Sequence, residues 1–225
     1  MRYFTKEEWG LWTGSIAVII SSYFLFDSGN AGKLIASLIG VTSLILNAKG
    51  NPIGQVLMVI FSILYGIISF EYRYYGEMIT YLGMTLPMAI VALVSWLKHP
   101  YKGEKAQVEI SKMSQKAWKT GTVLTIAVTA VFYHILKSLN TANLFPSTIS
   151  VTTSFFAAYL TYMRNAWFAV AYAANDIVLI VLWLLAVEND PSCVSVIICF
   201  AAFLINDLYG FINWRRMERK QRKDI

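Results

Sequence analysis

The sequence is poor in the residues that do covalent chemistry. It holds 2 cysteines and 2 histidines in 225 residues. Cys193 and Cys199 share one apolar run without Cys-x-x-Cys spacing, so they read as small packing residues and not as a metal site or a disulfide. His99 stands beside Pro100 in a polar loop, and His134 sits near the end of an apolar segment. Neither has a serine or cysteine nucleophile arranged beside it. A Gly-rich phosphate loop and a His-Glu-x-x-His pair are also missing. These absences argue against an enzyme and against ATP-driven pumping by this chain alone, and no cofactor is expected. Charge is scarce too, at 14% of residues. No small-residue cleavage site follows the first apolar segment, so that segment is expected to stay in place.

What remains is apolar. Hydrophobic residues make up 57% of the chain and the mean hydropathy is +0.54, too high for a soluble domain of this length. Apolar runs of about twenty residues recur, each long enough to cross a hydrocarbon layer of roughly 30 Å. They do not alternate in ten-residue strands, which excludes a barrel. The expectation is an all-α membrane protein of eight transmembrane helices, over 9–26, 32–47, 52–70, 76–97, 120–139, 147–163, 165–187 and 193–214. With both termini inside, all 19 lysines and arginines except Lys33, Arg73 and Lys137 fall on the inner side. The basic tail and the polar segment 98–119 are then explained by topology and anionic lipid, and no nucleic-acid partner is expected.

The chain also repeats. LNAKGNPIG joins two spans in the first half, and TYMRNAWFA joins two in the second. Each half then crosses an outer loop (EYRYYGE, ENDPS) and closes on Trp-Leu-Lys or Trp-Arg-Arg, with Trp96 and Trp214 at equivalent ends. Three spans per repeat with one linking span make the two repeats parallel, a 1+3+1+3 order. Substrate sites in such folds lie near the midplane where the repeats meet. The division reads as an N-terminal extra helix and outer loop (1–31), the first repeat (32–97), a basic loop and linker helix (98–146), the second repeat (147–214) and a basic tail (215–225).

Polar side chains inside a bilayer are costly and face the bundle interior, so they mark candidate sites. Helical spacing puts Tyr172, Asp176, Leu179 and Trp183 on one face of span 7, with Asn175 beside it. Span 8 aligns Asn206, Tyr209 and Asn213, with Asp207 adjacent. Span 3 offers Gln55, Ser62 and Tyr65; span 4 begins with Glu77 and carries Tyr81 and Thr85. A carboxylate at the depth of Asp176 costs about 2.5–3.5 kcal/mol to insert, so it must pair, protonate or face water or ligand. The asparagines could equally serve helix–helix bonds, worth about 0.6 kcal/mol each. Ring faces, amides and a carboxylate together suit a flat polar aromatic ring, including a positively charged one. A sugar alone would also fit. A non-transporting membrane scaffold is the reading from another class.

LNAKGNPIGQ, YYGEM (Tyr74 to Met78), NDIVLIVLW (Asn175 to Trp183) and NDLYGFINW (Asn206 to Trp214) resemble the PnuC family of nicotinamide riboside transporters over roughly residues 33–215. The resemblance implies a SWEET-like parallel-repeat fold, a homotrimer in a bacterial inner membrane, and facilitated diffusion of a vitamin-like cargo. Net uptake would then be driven by phosphorylation inside. It makes Asn175, Asp176, Asn206 and Tyr209 the first candidate cargo contacts, then Gln55, Tyr65, Trp183, Tyr172, Asp207 and Asn213. The riboside branch carries Trp-x-x-Trp at the start of the span matching span 7, where this chain has Trp167-Phe168-Ala169-Val170. A deoxynucleoside, thiamine or riboflavin therefore stays open as cargo.

Overall fold

The computed structural model describes residues 3–27, 31–71, 75–141, 143–187 and 191–224. Arg73, Tyr74 and the ENDPS turn at 188–190 lie outside the described residues. In chain order come α1 (Lys6–Phe26), α2 (Ala31–Ala48) and α3 (Pro52–Glu71). Next, α4 (Tyr75–Thr80) passes through a π-helical turn (Tyr81–Thr85) into α5 (Leu86–Lys98). A hairpin of β1 (Pro100–Tyr101) and β2 (Glu104–Val108) leads to α6 (Gln115–Ser138), α7 (Leu144–Tyr162), α8 (Phe168–Val187) and α9 (Cys193–Lys223). Among the described residues, 7 helical segments are long and apolar enough to span a membrane, α4 and α5 counting as one rod. This is a multi-pass helical membrane protein. The 19-residue α7 falls short because Ser147, Thr148, Ser150, Thr152, Thr153 and Ser154 lower its hydropathy. The hydroxyls of Thr148 and Thr152 bond back to carbonyls one turn earlier, which removes their donors from lipid.

Three features differ from the expected order. The tail 215–225 is not a separate segment: α9 runs on to Lys223, 31 residues in all, roughly 46 Å at 1.5 Å per residue. The stretch 98–119 is not a plain loop. Lys102 and Gly103 both take positive φ (50° and 80°), as a two-residue hairpin turn demands. The hairpin is then pinned: Gln221 accepts from Ile110 N and donates to Val108 O, while the Tyr101 hydroxyl donates to Asp224. Those contacts, with Lys102 beside it, hold the exposed Asp224 carboxyl below the usual carboxylate range. Third, the fourth span is not a uniform α-helix. Pro87 has no N–H to give the Gly83 carbonyl, and its ring crowds that position, so the chain widens and Leu86 N bonds Tyr81 O five residues back.

The two inner turns are built alike. Asn51 N bonds Leu46 O and Gly50 N bonds Asn47 O, a Schellman end with Gly50 at φ 67°. Asn165 N bonds Leu160 O and Arg164 N bonds Thr161 O, with Arg164 at φ 54° where the first turn has glycine. Asn51 Oδ1 then caps Ile53 N, and Asn165 Oδ1 caps Trp167 N. The hairpin strap touches both turns, Val108 N on Gly50 O and Ser111 N on Arg164 O.

The halves also hold each other reciprocally. α2 packs on α9, and α7 packs on α5. Trp96 donates to Thr161 O at 2.9 Å, and Trp214 donates to Asn47 O at 2.8 Å. Beside them Ser95 donates to Tyr162 O and Asn213 to Ala48 O, each at 2.8 Å. The two indoles meet at 5.4 Å and are fully buried, with Phe168 edge-on to Trp214 at 4.7 Å. Each buried indole N–H finds a helix-end carbonyl, Asn47 O or Thr161 O, and shares it with the turn's own Gly50 N or Arg164 N.

Candidate functional site

A cavity of about 100 Å³ with polar groups in its wall lies inside the bundle between α3, the α4–α5 rod, α7, α8 and α9. Its floor is set by α8 and α9. Tyr172, Asn175, Asp176 and Leu179 line it from α8, in the register that helical spacing predicts, and Asp207 lines it from α9. Tyr65 of α3 and Tyr81 of the π-turn close the opposite wall. One turn from Tyr172 stands Phe168, which packs edge-on against Trp214 of the tryptophan layer.

Asn175 is 7% exposed and rigidly held. Its Oδ1 accepts from Thr153 at 2.8 Å, Ser154 at 2.9 Å and Ser150 at 3.2 Å. The hydroxyl-rich face of α7 is therefore a socket for one amide. With the oxygen saturated, Asn175 can offer only its NH2 group to a ligand. Asp176 and Asp207, 4% and 5% exposed, stand within hydrogen-bonding reach of one another. Asp176 Oδ2 is buried without a partner among the described residues. No lysine, arginine or histidine occurs among the described residues lining this cavity. Two carboxyl groups side by side away from water are unfavourable for the fold alone, and such groups mark function.

Other candidates turn elsewhere. Asn206 donates to Ser15 of α1 at 2.9 Å, and Tyr209 donates to Glu8 of α1 at 3.1 Å. Asn213 reaches the end of α2, as above. The stripe on α9 exists, but its partners are α1 and α2, whereas Asp207, off the stripe, lines the cavity with Phe200 and Phe203. Gln55 donates to Asn47 Oδ1 at 2.9 Å, in a buried chain that continues through Ser43 to Gly54 O. Gly54 has no room for a side chain, since an added Cβ would run into Asn47. Trp183 stands above the cavity, between an outer vestibule and a cleft against α1. Trp167 packs on Phe211 at the inner turn, outside the cavity.

Sequence reasoning did not single out Thr5 or Glu8 at the start of α1. Thr5 and Glu8 form a capping box, readable from the Thr-x-x-Glu spacing. Glu8, 2% exposed, also takes the Lys49 ammonium at 2.9 Å. That one carboxylate ties α1, the inner turn of the first half and α9.

The family model described as "Nicotinamide mononucleotide transporter" matches residues 30–216. The nicotinamide riboside transporter PnuC of Neisseria mucosa is 24% identical, the match covering 98% of this chain and 88% of that protein. The transporter of the same name from Haemophilus influenzae is 23% identical, over 83% of this chain and 80% of that protein. A crystal structure of the vitamin B3 transporter PnuC superposes with a TM-score of 0.83 at 22% identity, covering 97% of this chain and 94% of that one. The last likeness speaks for the fold. The match over residues 30–216 speaks for descent: the chain belongs to the nicotinamide mononucleotide transporter family.

Proposed function

We propose that this protein carries nicotinamide riboside through the membrane by facilitated diffusion. The names of its relatives offer a riboside and a mononucleotide, and the cavity chooses between them. The observation that carries the choice is the charge of its wall. Asp176 and Asp207 line it, and no basic side chain does so among the described residues. A mononucleotide would bring a phosphate of nearly two negative charges against those carboxyls, in a medium where like charges repel strongly. The riboside brings a single positive charge on a flat pyridinium ring. The carboxyls, the Asn175 NH2 group and the rings of Tyr65, Tyr81 and Tyr172 complement that charge, its carboxamide and the ribose hydroxyls.

Spans α2, α3 and α4–α5 form one repeat of the carrier, and α7, α8 and α9 form the other, in parallel as in SWEET proteins. The reciprocal contacts of Trp96 and Trp214 support this order. α1 and α6 are scaffold, which makes eight spans in a 1+3+1+3 order. Opening to the inside requires the halves to part at the tryptophan layer, a rocking about the midplane cavity. Both termini and the hairpin face the cytoplasm of a bacterial cell, where the positive residues lie. Phosphorylation of the riboside there removes it from the equilibrium and gives uptake its direction. The protein assembles as a homotrimer, as the family resemblance implies.

Calorimetry on the purified protein tests the cargo. Nicotinamide riboside is expected to bind at micromolar affinity, and nicotinamide mononucleotide at least about a hundredfold more weakly, given the penalty for an unpaired buried charge. Deoxyadenosine, thiamine and riboflavin complete the panel. Tighter binding of any of these than of the riboside contradicts the assignment.

A further inference from the structure

Glu77 is a carboxylate that the polar networks above leave unused. It lies in the first turn of α4 and lines three spaces at once: the central cavity, the outer vestibule and the cleft beside α1. The side chain is partly accessible from these spaces, while Oε2 is buried without a hydrogen-bond partner among the described residues. No basic side chain lines the vestibule or the cavity among the described residues. In the cleft, Lys33 is taken by Asp27 at 2.9 Å.

Three rings stand against it. Tyr65 and Tyr81 meet at 4.4 Å, and Phe61 lies 5.6 Å from Tyr65 and 5.9 Å from Tyr81. The Tyr65 hydroxyl faces the Glu77 carboxyl. Tyr81 opens the π-helical turn that Pro87 forces, one helical turn after Glu77. Pro87 thus shapes the rod where Tyr81 joins the Phe61 and Tyr65 rings. π-Turns often mark functional sites for this reason. A carboxylate backed by ring faces recognises a positively charged planar group, through ion pairing on one side and cation–π contact on the other.

We propose that Glu77, with Tyr65 and Tyr81, forms an outer recognition station that admits a positively charged ring and discriminates against its neutral counterpart. The station stands where the vestibule meets the cavity, so cargo passes it before reaching Asp176 and Asp207. This rests on the reading of the chain as a riboside carrier and names a residue that adds to the charge selectivity of Asp176 and Asp207.

The test uses two ligands that differ in ring charge and keep the same ribose and carboxamide: nicotinamide riboside and its neutral dihydro form. Calorimetry on the wild type is expected to favour the cation by at least about tenfold. Glu77→Gln, nearly the same in shape, is expected to lose about ten- to a hundredfold in affinity for the cation and to hold the neutral form within about twofold. Glu77→Asp, which keeps the charge, is expected to retain most of the preference, and Tyr81→Leu to lower it. A cation-to-neutral ratio in folded Glu77→Gln equal to that of the wild type overturns the proposal, even if both affinities fall. A wild type that binds neither form brings down the carrier reading, and the proposal with it. A wild type that binds both equally leaves the carrier reading standing and removes the station.

Discussion

Asp176→Asn is expected to weaken nicotinamide riboside binding by about ten- to a hundredfold, the range for losing a charge-assisted contact of ~1.5–3 kcal/mol. Thermal stability should stay level or rise. The two effects part because the carboxyl does little for the fold. Asp176 is 4% exposed, its Oδ2 has no partner among the described residues, and its neighbour Asp207 is also an acid. Asparagine fits the same space and can donate to Asp207, so the repulsion is relieved and a hydrogen bond is kept. Activity won at the expense of stability is the usual signature of a binding carboxylate. Calorimetry and a melting curve on the same preparation read both effects. A variant that binds like the wild type but melts lower would make Asp176 a structural residue. Asn206→Leu should show the opposite pattern, because its amide serves Ser15 of α1: a lower melting temperature and little change in affinity.

Trp214→Ala is expected to lower stability by about 3–5 kcal/mol, the range for truncating a large buried aromatic. For a chain of this length that corresponds to a fall in melting temperature of roughly 6–20 °C. The indole is fully buried and packs on Trp96 and Phe168. Its loss also removes the hydrogen bond that it gives the Asn47 carbonyl at 2.8 Å, leaving that carbonyl to Gly50 N alone. Trp96→Ala should cost nearly as much, because Trp96 holds Thr161 O in the mirrored contact. Trp214→Phe keeps most of the packing and loses the hydrogen bond, so it should fall between. Two alanine variants that differ by most of the expected effect would show that the halves are not reciprocal at this layer.

The fold was legible where hydropathy and repetition carry it. Twenty-residue apolar runs locate the helices, and the turns at 49–51 and 163–165 with Trp96 and Trp214 make matching contacts. What periodicity cannot supply is a neighbour. It put Asn206, Tyr209 and Asn213 on one stripe of α9, and they are on one stripe. Which helix that stripe meets depends on where α1 packs, and periodicity within α9 does not report that. The same spacing put Tyr172 and Asp176 on one face, and that face does line the cavity, because α8 sits at its centre. The socket around Asn175 was hidden: scattered serines and threonines on α7 read as weak hydropathy until three hydroxyls are seen to converge on one oxygen. Glu77 stood in plain view at the start of span 4, but periodicity could not show the three spaces that it lines. The π-turn after it could have been suspected from Pro87 within an apolar helix. The hairpin had a faint signal in Lys102-Gly103, masked by the surrounding charge.

The most direct measurement is counterflow in proteoliposomes holding only the purified protein, without ATP or an ion gradient. Vesicles loaded with unlabelled nicotinamide riboside are placed in a trace of labelled riboside. The account predicts transient accumulation of label inside, absent with Asp176→Asn and unaffected by an imposed pH difference. A well-folded protein that exchanges no riboside, or exchanges it only when a pH gradient is applied, contradicts the account.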